Sequence, residues 1–96
     1  MSNTVHDENI ALFLDSLTSL HTVDDVRKLI EDVCTPQEIR TIAQRLAVAK
    51  LLREERVYAD ITKITGASTA TISRVRRSME QSRGGYDLAL SSKIVR

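Results

Sequence analysis

The near absence of helix-breaking residues is the feature that most constrains how this chain folds. Its 96 residues include one proline and three glycines, and the glycines all lie in the last third of the sequence. Because proline and glycine interrupt helices more strongly than other residues, their scarcity favours helices joined by short turns. A chain of this length is enough for one domain, so the sequence predicts a single all-α domain over residues 1–96.

The first half of the chain contains three helical patterns, and the second and third have recognisable starts. The first pattern runs from about Val5 to Leu20. The second begins at Thr22, a residue suited to cap a helix N-terminus. The third begins at Thr35-Pro36-Gln37-Glu38, which predicts a capping box with proline in the first turn, and should continue to about Arg53.

The first and third of these helices are apolar around most of their circumference. A helix that is apolar on nearly every side is expected to be buried on nearly every side. A chain of 96 residues has few other elements to cover both helices. The pattern therefore predicts a homodimer, and the alternative is a monomer whose terminal helices fold back over the core.

A compact helix-turn-helix is predicted over about residues 57–80. The residues from Tyr58 to Thr65 indicate a short helix with Ile61 and Ile64 facing inward. Gly66 allows a sharp turn, and Ser68 is a good N-cap for a second helix that continues to Met79. Two helices joined by a short glycine-containing turn are typical of helix-turn-helix proteins.

The second helix of this unit has one apolar stripe and one polar, basic face. Ile72, Val75 and Met79 share a narrow arc that would anchor the helix, while small, hydroxylated and basic residues cover the opposite side. Such a face suits the DNA major groove, and the alternative is a hairpin with a solvated basic face. The predicted DNA-binding residues are Lys63, Ser68, Thr69, Ala70, Thr71, Ser73, Arg74, Arg76 and Arg77.

Charge is distributed unevenly along the chain. Residues 1–38 have a net charge of −6, with two basic residues and eight carboxylates, whereas residues 39–96 have twelve basic residues and five carboxylates, a net charge of +7. A basic second half favours an anionic partner such as double-stranded DNA. Packing of the two oppositely charged halves against each other is the alternative.

The stretch from Thr35 to Ser78 resembles the Trp repressor family, and particularly its less-characterised Trp repressor-like bacterial branch. The resemblance rests on Thr35-Pro36-x-Glu38, Arg45, Leu51-Leu52, Ile61, the ten residues from Thr65 to Arg74, and Gly84-Gly85-Tyr86. It implies an intertwined all-α homodimer that binds a two-fold symmetric operator and represses transcription. In this family the operator is reached by the recognition helix, which corresponds here to the segment after Ser68.

The resemblance also implies an effector pocket for L-tryptophan as corepressor. Arg45 and Arg74 fall at the positions of the two arginines that flank tryptophan in Trp repressors, and Thr35 and Ser78 match further polar positions. Guanidinium planes can sandwich an indole ring and bind a carboxylate. Another small effector remains an alternative, as do a phosphate contact by Arg74 and an ion pair between Arg45 and an acidic residue.

Other function classes have little support in the sequence. His6 and His21 have no histidine, cysteine or acidic residue at metal-ligand spacing, and Cys34 is expected to be a small apolar residue rather than a nucleophile. No nucleophile-base pair or cofactor loop appears, so no enzyme is predicted, and a helical protein-interaction module without DNA is the competing hypothesis. The chain lacks a signal peptide or membrane-span pattern, which with its lone cysteine predicts a cytoplasmic protein.

A final helix is expected from Asp87 to about Ile94.

Overall fold

The computed structural model describes residues 4–91, and they form an all-α fold without β-strands. This confirms the predicted fold class. The helices are α1 (Thr4–Thr18), α2 (Val23–Val33), α3 (Pro36–Arg53), α4 (Tyr58–Thr65), α5 (Thr69–Glu80) and α6 (Gly85–Leu90).

Contacts within the chain define two compact units, Met1–Ile39 and Arg40–Arg96. The first unit holds α1, α2 and the first turn of α3, and the second holds the remaining helices. The expectation of a single domain over residues 1–96 stays a prediction.

The helix ends of the first unit follow from local capping. The side chain of Thr22 accepts a hydrogen bond from the backbone N–H of Asp25 at 3.1 Å, as expected for an N-cap. The first helix ends at Thr18, two residues earlier than predicted. Hydroxyl groups of Ser16, Thr18 and Ser19 donate to backbone carbonyl oxygens at this end of α1, which competes with continued helix.

The predicted capping box at the start of α3 is confirmed. The backbone N–H of Thr35 donates to Glu38 Oε1 at 2.8 Å, and the backbone N–H of Glu38 donates to the Thr35 hydroxyl oxygen at 3.1 Å. These bonds satisfy two backbone donors that a helix start leaves without partners. Hydrogen bonding from the Thr35 backbone, and then from its side chain, holds the pKa of Glu38 below its ordinary value.

Apolar side chains of the first unit remain largely exposed. None of residues 4–39 is buried. On α1, Leu12 is 68% exposed and Phe13 is 49% exposed, and on α2 Val23 is 58% exposed. Single exposed apolar residues are ordinary on a protein surface, but so many on consecutive turns form an apolar surface of the kind that another chain covers.

The core described by the structure lies in the second unit. It consists of Val48, Ala49, Leu51, Ile61, Ala67, Ile72 and Val75. These residues come from α3, α4, the turn after α4, and α5, so the core joins the helix-turn-helix to the C-terminal part of α3. Burial of aliphatic side chains is the main favourable free energy holding these elements together.

The connection between α3 and α4 ends α3 with a left-handed residue. Glu55 has φ of 60°, and its backbone N–H donates to Leu52 O, while the N–H of Arg56 donates to Leu51 O. This pair of bonds is the Schellman arrangement, in which glycine is the preferred residue. The predicted end of α3 at about Arg53 is therefore confirmed, although the left-handed position that follows it is a glutamate.

Two predictions in this unit need correction. Ile61 is fully buried as expected, but Ile64 is 57% exposed. Ile64 lies about 60° around the helix from Ile61, and α4, a helix of eight residues, packs against α5 on the side of Ile61. The last helix spans Gly85–Leu90 and so begins two residues before the predicted Asp87, while the part of that prediction beyond Ser91 lies outside the described residues.

Candidate DNA-binding surface and adjoining pocket

The turn between α4 and α5 is built around Gly66. Gly66 adopts a left-handed conformation with φ of 77°, and its N–H donates to Thr62 O at 2.8 Å. The Thr65 hydroxyl donates to Ile61 O and accepts from the N–H of Ala67. Ala67, the small last residue of the turn, is 1% exposed, so its burial attaches the turn to the core.

Capping and burial fix the position of α5. The Ser68 side chain accepts a hydrogen bond from the Thr71 N–H at 3.2 Å, which confirms Ser68 as the N-cap. Ile72 is fully buried and Val75 is 3% exposed, and Met79 packs against the same core. The three predicted anchor residues therefore hold one side of α5 against the unit, as the sequence indicated.

The opposite side of α5 is free of the core. Ser73, Arg74 and Arg77 are exposed, and so are Ser68, Thr69 and Ala70 at the start of the helix, whereas Thr71 is half-buried. An exposed helix face with small residues at its N-terminal end and arginines further along is suited to approach base edges and phosphates. The structure thus brings most of the predicted DNA-binding residues onto one accessible surface.

Arg76 is placed differently from the other arginines of α5. Its guanidinium carbon lies 5.5 Å from the centroid of the Tyr58 ring at the start of α4. This cation–π contact ties the first turn of α4 to α5. Arg76 remains exposed, but its guanidinium is already engaged within the protein, unlike those of Arg74 and Arg77, for which the structure gives no ion pair or ring contact.

Lys63 lies on α4 and is exposed. It is the basic residue in the last turn of that helix, before the turn at Gly66. An ammonium group there adds positive charge near the helix-turn-helix turn, which suits a phosphate contact more than base recognition.

A pocket of about 420 Å³ lies beside α5 in the second unit. Arg45 from α3 and Arg74 and Ser78 from α5 line it, so the structure brings together three of the four residues predicted for an effector site. Thr35 belongs to the first unit and is not among the lining residues. The remaining lining residues are Thr41, Gln44, Thr71, Val75 and Tyr86.

The two pocket arginines are not neutralised by carboxylates of the protein. Ion pairs join Asp24 to Lys28, Lys50 to Glu54, Arg53 to Asp87 and Arg56 to Asp60. Neither Arg45 nor Arg74 takes part in them, and no aspartate or glutamate lines the pocket. The alternative in which Arg45 serves an internal ion pair therefore finds no support among the described residues.

Three residues that help build this surface were missed by sequence reasoning. Gln44 donates to Thr65 O at 3.2 Å and so joins α3 to the end of α4. Tyr58 carries the ring under Arg76, and Tyr86 places its hydroxyl 3.4 Å from Ser78 Oγ. A polar glutamine within an otherwise apolar helix, and two tyrosines in a chain poor in aromatic residues, were the available signals.

The remaining polar candidates are the histidines, the acidic residues and Cys34. Within the described range, no group of three or more histidine, cysteine or acidic residues is placed to hold a metal ion. Cys34 is a free, half-buried cysteine at the C-cap of α2, where its N–H donates to Ile30 O.

Comparison with known proteins identifies the family. The sequence matches the family described as Trp repressor protein over residues 8–94. The chain belongs to the Trp repressor family. This confirms the resemblance drawn from the capping box and the helix-turn-helix, and it places the chain in a family of DNA-binding regulators rather than of enzymes.

Relatives and solved structures agree with membership of the Trp repressor family. The uncharacterised protein YerC of Bacillus subtilis (strain 168) is 45% identical over 76 residues, which cover 79% of this chain and 73% of YerC. The crystal structure of a TrpR-like protein from Eubacterium eligens ATCC 27750 has a TM-score of 0.86 and 43% identity, covering 94% of this chain and 93% of that one. A Trp repressor candidate from Staphylococcus aureus has a TM-score of 0.83 and 34% identity, covering 99% and 91%.

Among the residues that the structure describes, no helix is both long enough and apolar enough to cross a membrane.

Proposed function

We propose that this chain is a sequence-specific transcriptional regulator, acting as a repressor, that binds a two-fold symmetric operator as a homodimer. The observation that carries the proposal is the exposed face of α5. Ser73, Arg74 and Arg77 are exposed on this face, while Ile72 and Val75 anchor the other side of the same helix in the core. Membership of the Trp repressor family supports the same function.

On this proposal, different residues of the helix-turn-helix have different roles. Thr69, Ala70, Thr71 and Ser73 lie at the N-terminal end of α5 and would read or pack against base edges. Arg74, Arg77 and Lys63 would hold phosphates, and the backbone N–H groups at the start of α5 add further donors. The cation–π contact holds the Arg76 guanidinium beside Tyr58, so Arg76 would contact a phosphate only if that phosphate also lay beside Tyr58.

The apolar surface of the first unit supports homodimerisation. Leu12, Phe13 and Leu14 on α1 are each about half exposed or more. A groove of about 700 Å³ runs beside α2 and is lined largely by apolar residues such as Val26, Ile30 and Ile39. A second copy of the chain is the occupant proposed for these surfaces, because two recognition helices must be held together to read a two-fold symmetric operator.

Regulation by a small effector is part of the proposal. Arg74 belongs to α5 and also lines the pocket, so a ligand bound there would act directly on the helix that faces DNA. L-Tryptophan is the effector implied by the family, and another small molecule is the alternative. A reducing cytoplasm, expected from the lone cysteine, is the proposed location.

Selection of bound sequences from a random pool of duplex DNA tests the proposal, with and without L-tryptophan. A two-fold symmetric enriched site is expected for a homodimeric regulator. Absence of binding to any duplex at low salt would favour a protein-interaction module instead. Identical enrichment with and without L-tryptophan would exclude tryptophan as the corepressor and leave a different ligand for the pocket.

Arg77→Ala tests the role of the exposed face directly. Loss of one phosphate contact should weaken binding to all duplex sequences and reduce the slope of log affinity against log salt concentration by about one. Lys28→Ala is the matched control, because it removes one positive charge from α2, where Lys28 is ion-paired with Asp24. Fluorescence anisotropy with labelled DNA measures both variants, and unchanged affinity of Arg77→Ala at low salt would contradict the assignment.

A further inference from the structure

The C-terminal end of α4 has a backbone carbonyl whose partner is a side chain from another helix. The last carbonyl groups of a helix have no partner within that helix, and Thr65 is the last residue of α4. Gln44 Nε2 of α3 donates to Thr65 O at 3.2 Å in a partly buried position. Because an unpaired polar group away from water costs free energy, this bond favours the observed position of the turn relative to α3.

The amide of Gln44 lies against the turn between α4 and α5. A methyl carbon added at Gly66 would lie 4.0 Å from Gln44 Nε2. Ala67 follows and is buried in the core, and Ser68 then caps α5. Three residues separate Thr65 from the first residue of α5, so a displacement of the Thr65 carbonyl would also displace the N-terminal end of α5.

Apolar packing and hydrogen bonding constrain this turn in different ways. Ile61, Ala67 and Ile72, from α4, the turn and α5, share the core with side chains of α3. Apolar packing is non-directional, so it can hold the helices together over a small range of relative positions. A hydrogen bond depends on both distance and angle, so the Gln44 amide narrows that range.

The start of α4 has a contact of a different kind. There the guanidinium carbon of Arg76 lies 5.5 Å from the centroid of the Tyr58 ring. That contact joins α4 to α5 within the helix-turn-helix, whereas the Gln44 bond joins the helix-turn-helix to α3. Loss of the Gln44 bond should therefore leave the pairing of α4 with α5 in place.

We propose that Gln44 is a positioning residue for operator recognition, because its bond to Thr65 O fixes the turn and so places the N-terminal end of α5 against base edges. Gln44 acts through Thr65 and has no need to touch DNA. Base recognition requires accurate placement of side chains, whereas binding to any duplex depends mainly on charge. Gln44 therefore raises the preference for the operator over other duplexes. This role rests on the proposed DNA binding and names a residue that sets its specificity.

Gln44→Met tests this role, because methionine has a similar length and lacks the amide donor. Affinity for the selected operator should fall by about three- to tenfold, as expected for one lost hydrogen bond, while affinity for a random duplex should change by less than about twofold. Gln81→Met is the matched control, because it makes the same change at an exposed glutamine at the end of α5, and it should change neither affinity by more than about twofold. Fluorescence anisotropy measures both variants with both duplexes, under the effector conditions in which the operator was selected.

Amide hydrogen exchange, measured by NMR on the full chain, tests the turn in the absence of DNA. The N–H groups of Gly66 and Ala67 both form hydrogen bonds at the turn. Both should exchange about threefold faster or more in Gln44→Met, because local opening of the turn becomes easier. The N–H of Gln81 at the end of α5 is the internal control and should be unchanged. Equal exchange at Gly66 and Ala67 in the wild type and the variant would show that the bond does not hold the turn and would overturn the proposal.

The two duplexes distinguish positioning from a general contribution to stability. A loss of affinity confined to the operator supports the positioning role. An equal loss for operator and random duplex would mean that Gln44 only stabilises the fold, and unchanged affinity for both would mean that it positions nothing, so either result overturns the proposal. A wild-type chain that binds no duplex would refute the proposed function and the role of Gln44 with it, whereas operator binding that Gln44→Met leaves unchanged would refute that role alone.

Discussion

The second compact unit, Arg40–Arg96, contains a buried core, whereas no residue between 4 and 39 in the first unit is buried. Both units are helical and both have capped helices, so local signals specify secondary structure equally well in each. They differ in how their apolar side chains are covered. The second unit buries Ile61, Ile72 and Val48 completely, while the first leaves Leu12 at 68% and Phe13 at 49% exposure.

This difference indicates that the two units are stabilised in different ways. The helix-turn-helix has a core of its own, which keeps α5 in place when its polar face meets a ligand or DNA. The first unit has helices whose apolar side chains lack enough neighbours in a single chain, so its stability is expected to depend on a second copy.

Two isoleucines of the helix-turn-helix provide the test with the largest expected effect. Ile72→Ala should lower the free energy of unfolding by about 2–5 kcal/mol, because it leaves a cavity in a fully buried site. Ile64→Ala should cost less than about 1 kcal/mol, since this side chain is 57% exposed. Urea unfolding followed by circular dichroism measures both. Equal losses would show that Ile64 is covered in solution and that the exposed side of α4 is an interface.

Phe13→Asp tests the coverage of the first unit. If a second copy covers α1, a charge at this position should weaken dimerisation by about 100-fold or more, because an unpaired carboxylate would be buried in an apolar interface. Val57→Asp is the control, because it places the same charge at an exposed apolar residue of the second unit. Sedimentation velocity over a range of concentrations measures the dimer fraction. A wild-type chain that stays monomeric at high concentration would contradict the proposed dimer.

The local features of the fold could be predicted from the sequence because their signals are local. The N-caps at Thr22 and Ser68 and the capping box at Thr35 each involve residues three positions apart. The turn at Gly66 requires a left-handed residue, which glycine adopts freely. These features, with the apolar stripe of α5, were sufficient to predict the helices and the helix-turn-helix.

What could not be predicted depends on residues far apart in sequence. Gln44 and Thr65 are 21 positions apart, and neither residue type indicates its partner. The exposure of Ile64 depends on which side of α4 packs on α5, which periodicity cannot decide for a helix of eight residues. Tyr86 lies in the pocket because of how the chain turns after α5, a path that no local pattern specified.

Glu55→Gly tests the second unit at its least favourable backbone position. Glu55 has φ of 60°, and a left-handed conformation costs a residue with a side chain about 1–2 kcal/mol. Glycine removes that cost but has more entropy in the unfolded chain, so a net stabilisation of about 0.5–1 kcal/mol is expected. Glu54→Gly is the matched control and should destabilise, because it removes the ion pair with Lys50. Urea unfolding measures both, and a destabilised Glu55→Gly would mean that the Glu55 side chain has a partner in solution.

The smallest expected effect concerns two glutamates whose pKa values are lowered in different ways. Glu38, at the start of α3, is stabilised as a carboxylate by hydrogen bonds from Thr35, and the pKa of Glu54 is lowered chiefly by its hydrogen bond with Lys50. Because each pKa is lower in the folded chain than in the unfolded chain, each contribution to stability is present above the ordinary glutamate pKa. It is lost as the pH falls through the lowered pKa of the folded state.

Thermal unfolding between pH 7 and pH 3 in low and high salt distinguishes the two glutamates. Glu38→Gln should reduce the acid sensitivity of the unfolding temperature equally in both salts, because its partners are an uncharged backbone N–H and hydroxyl. Glu54→Gln should reduce it mainly in low salt, because the exposed ion pair with Lys50 is screened by ions. If both variants respond to salt alike, the carboxylate of Glu38 is held by charge rather than by the capping box, and the two helix ends do not differ as the structure indicates.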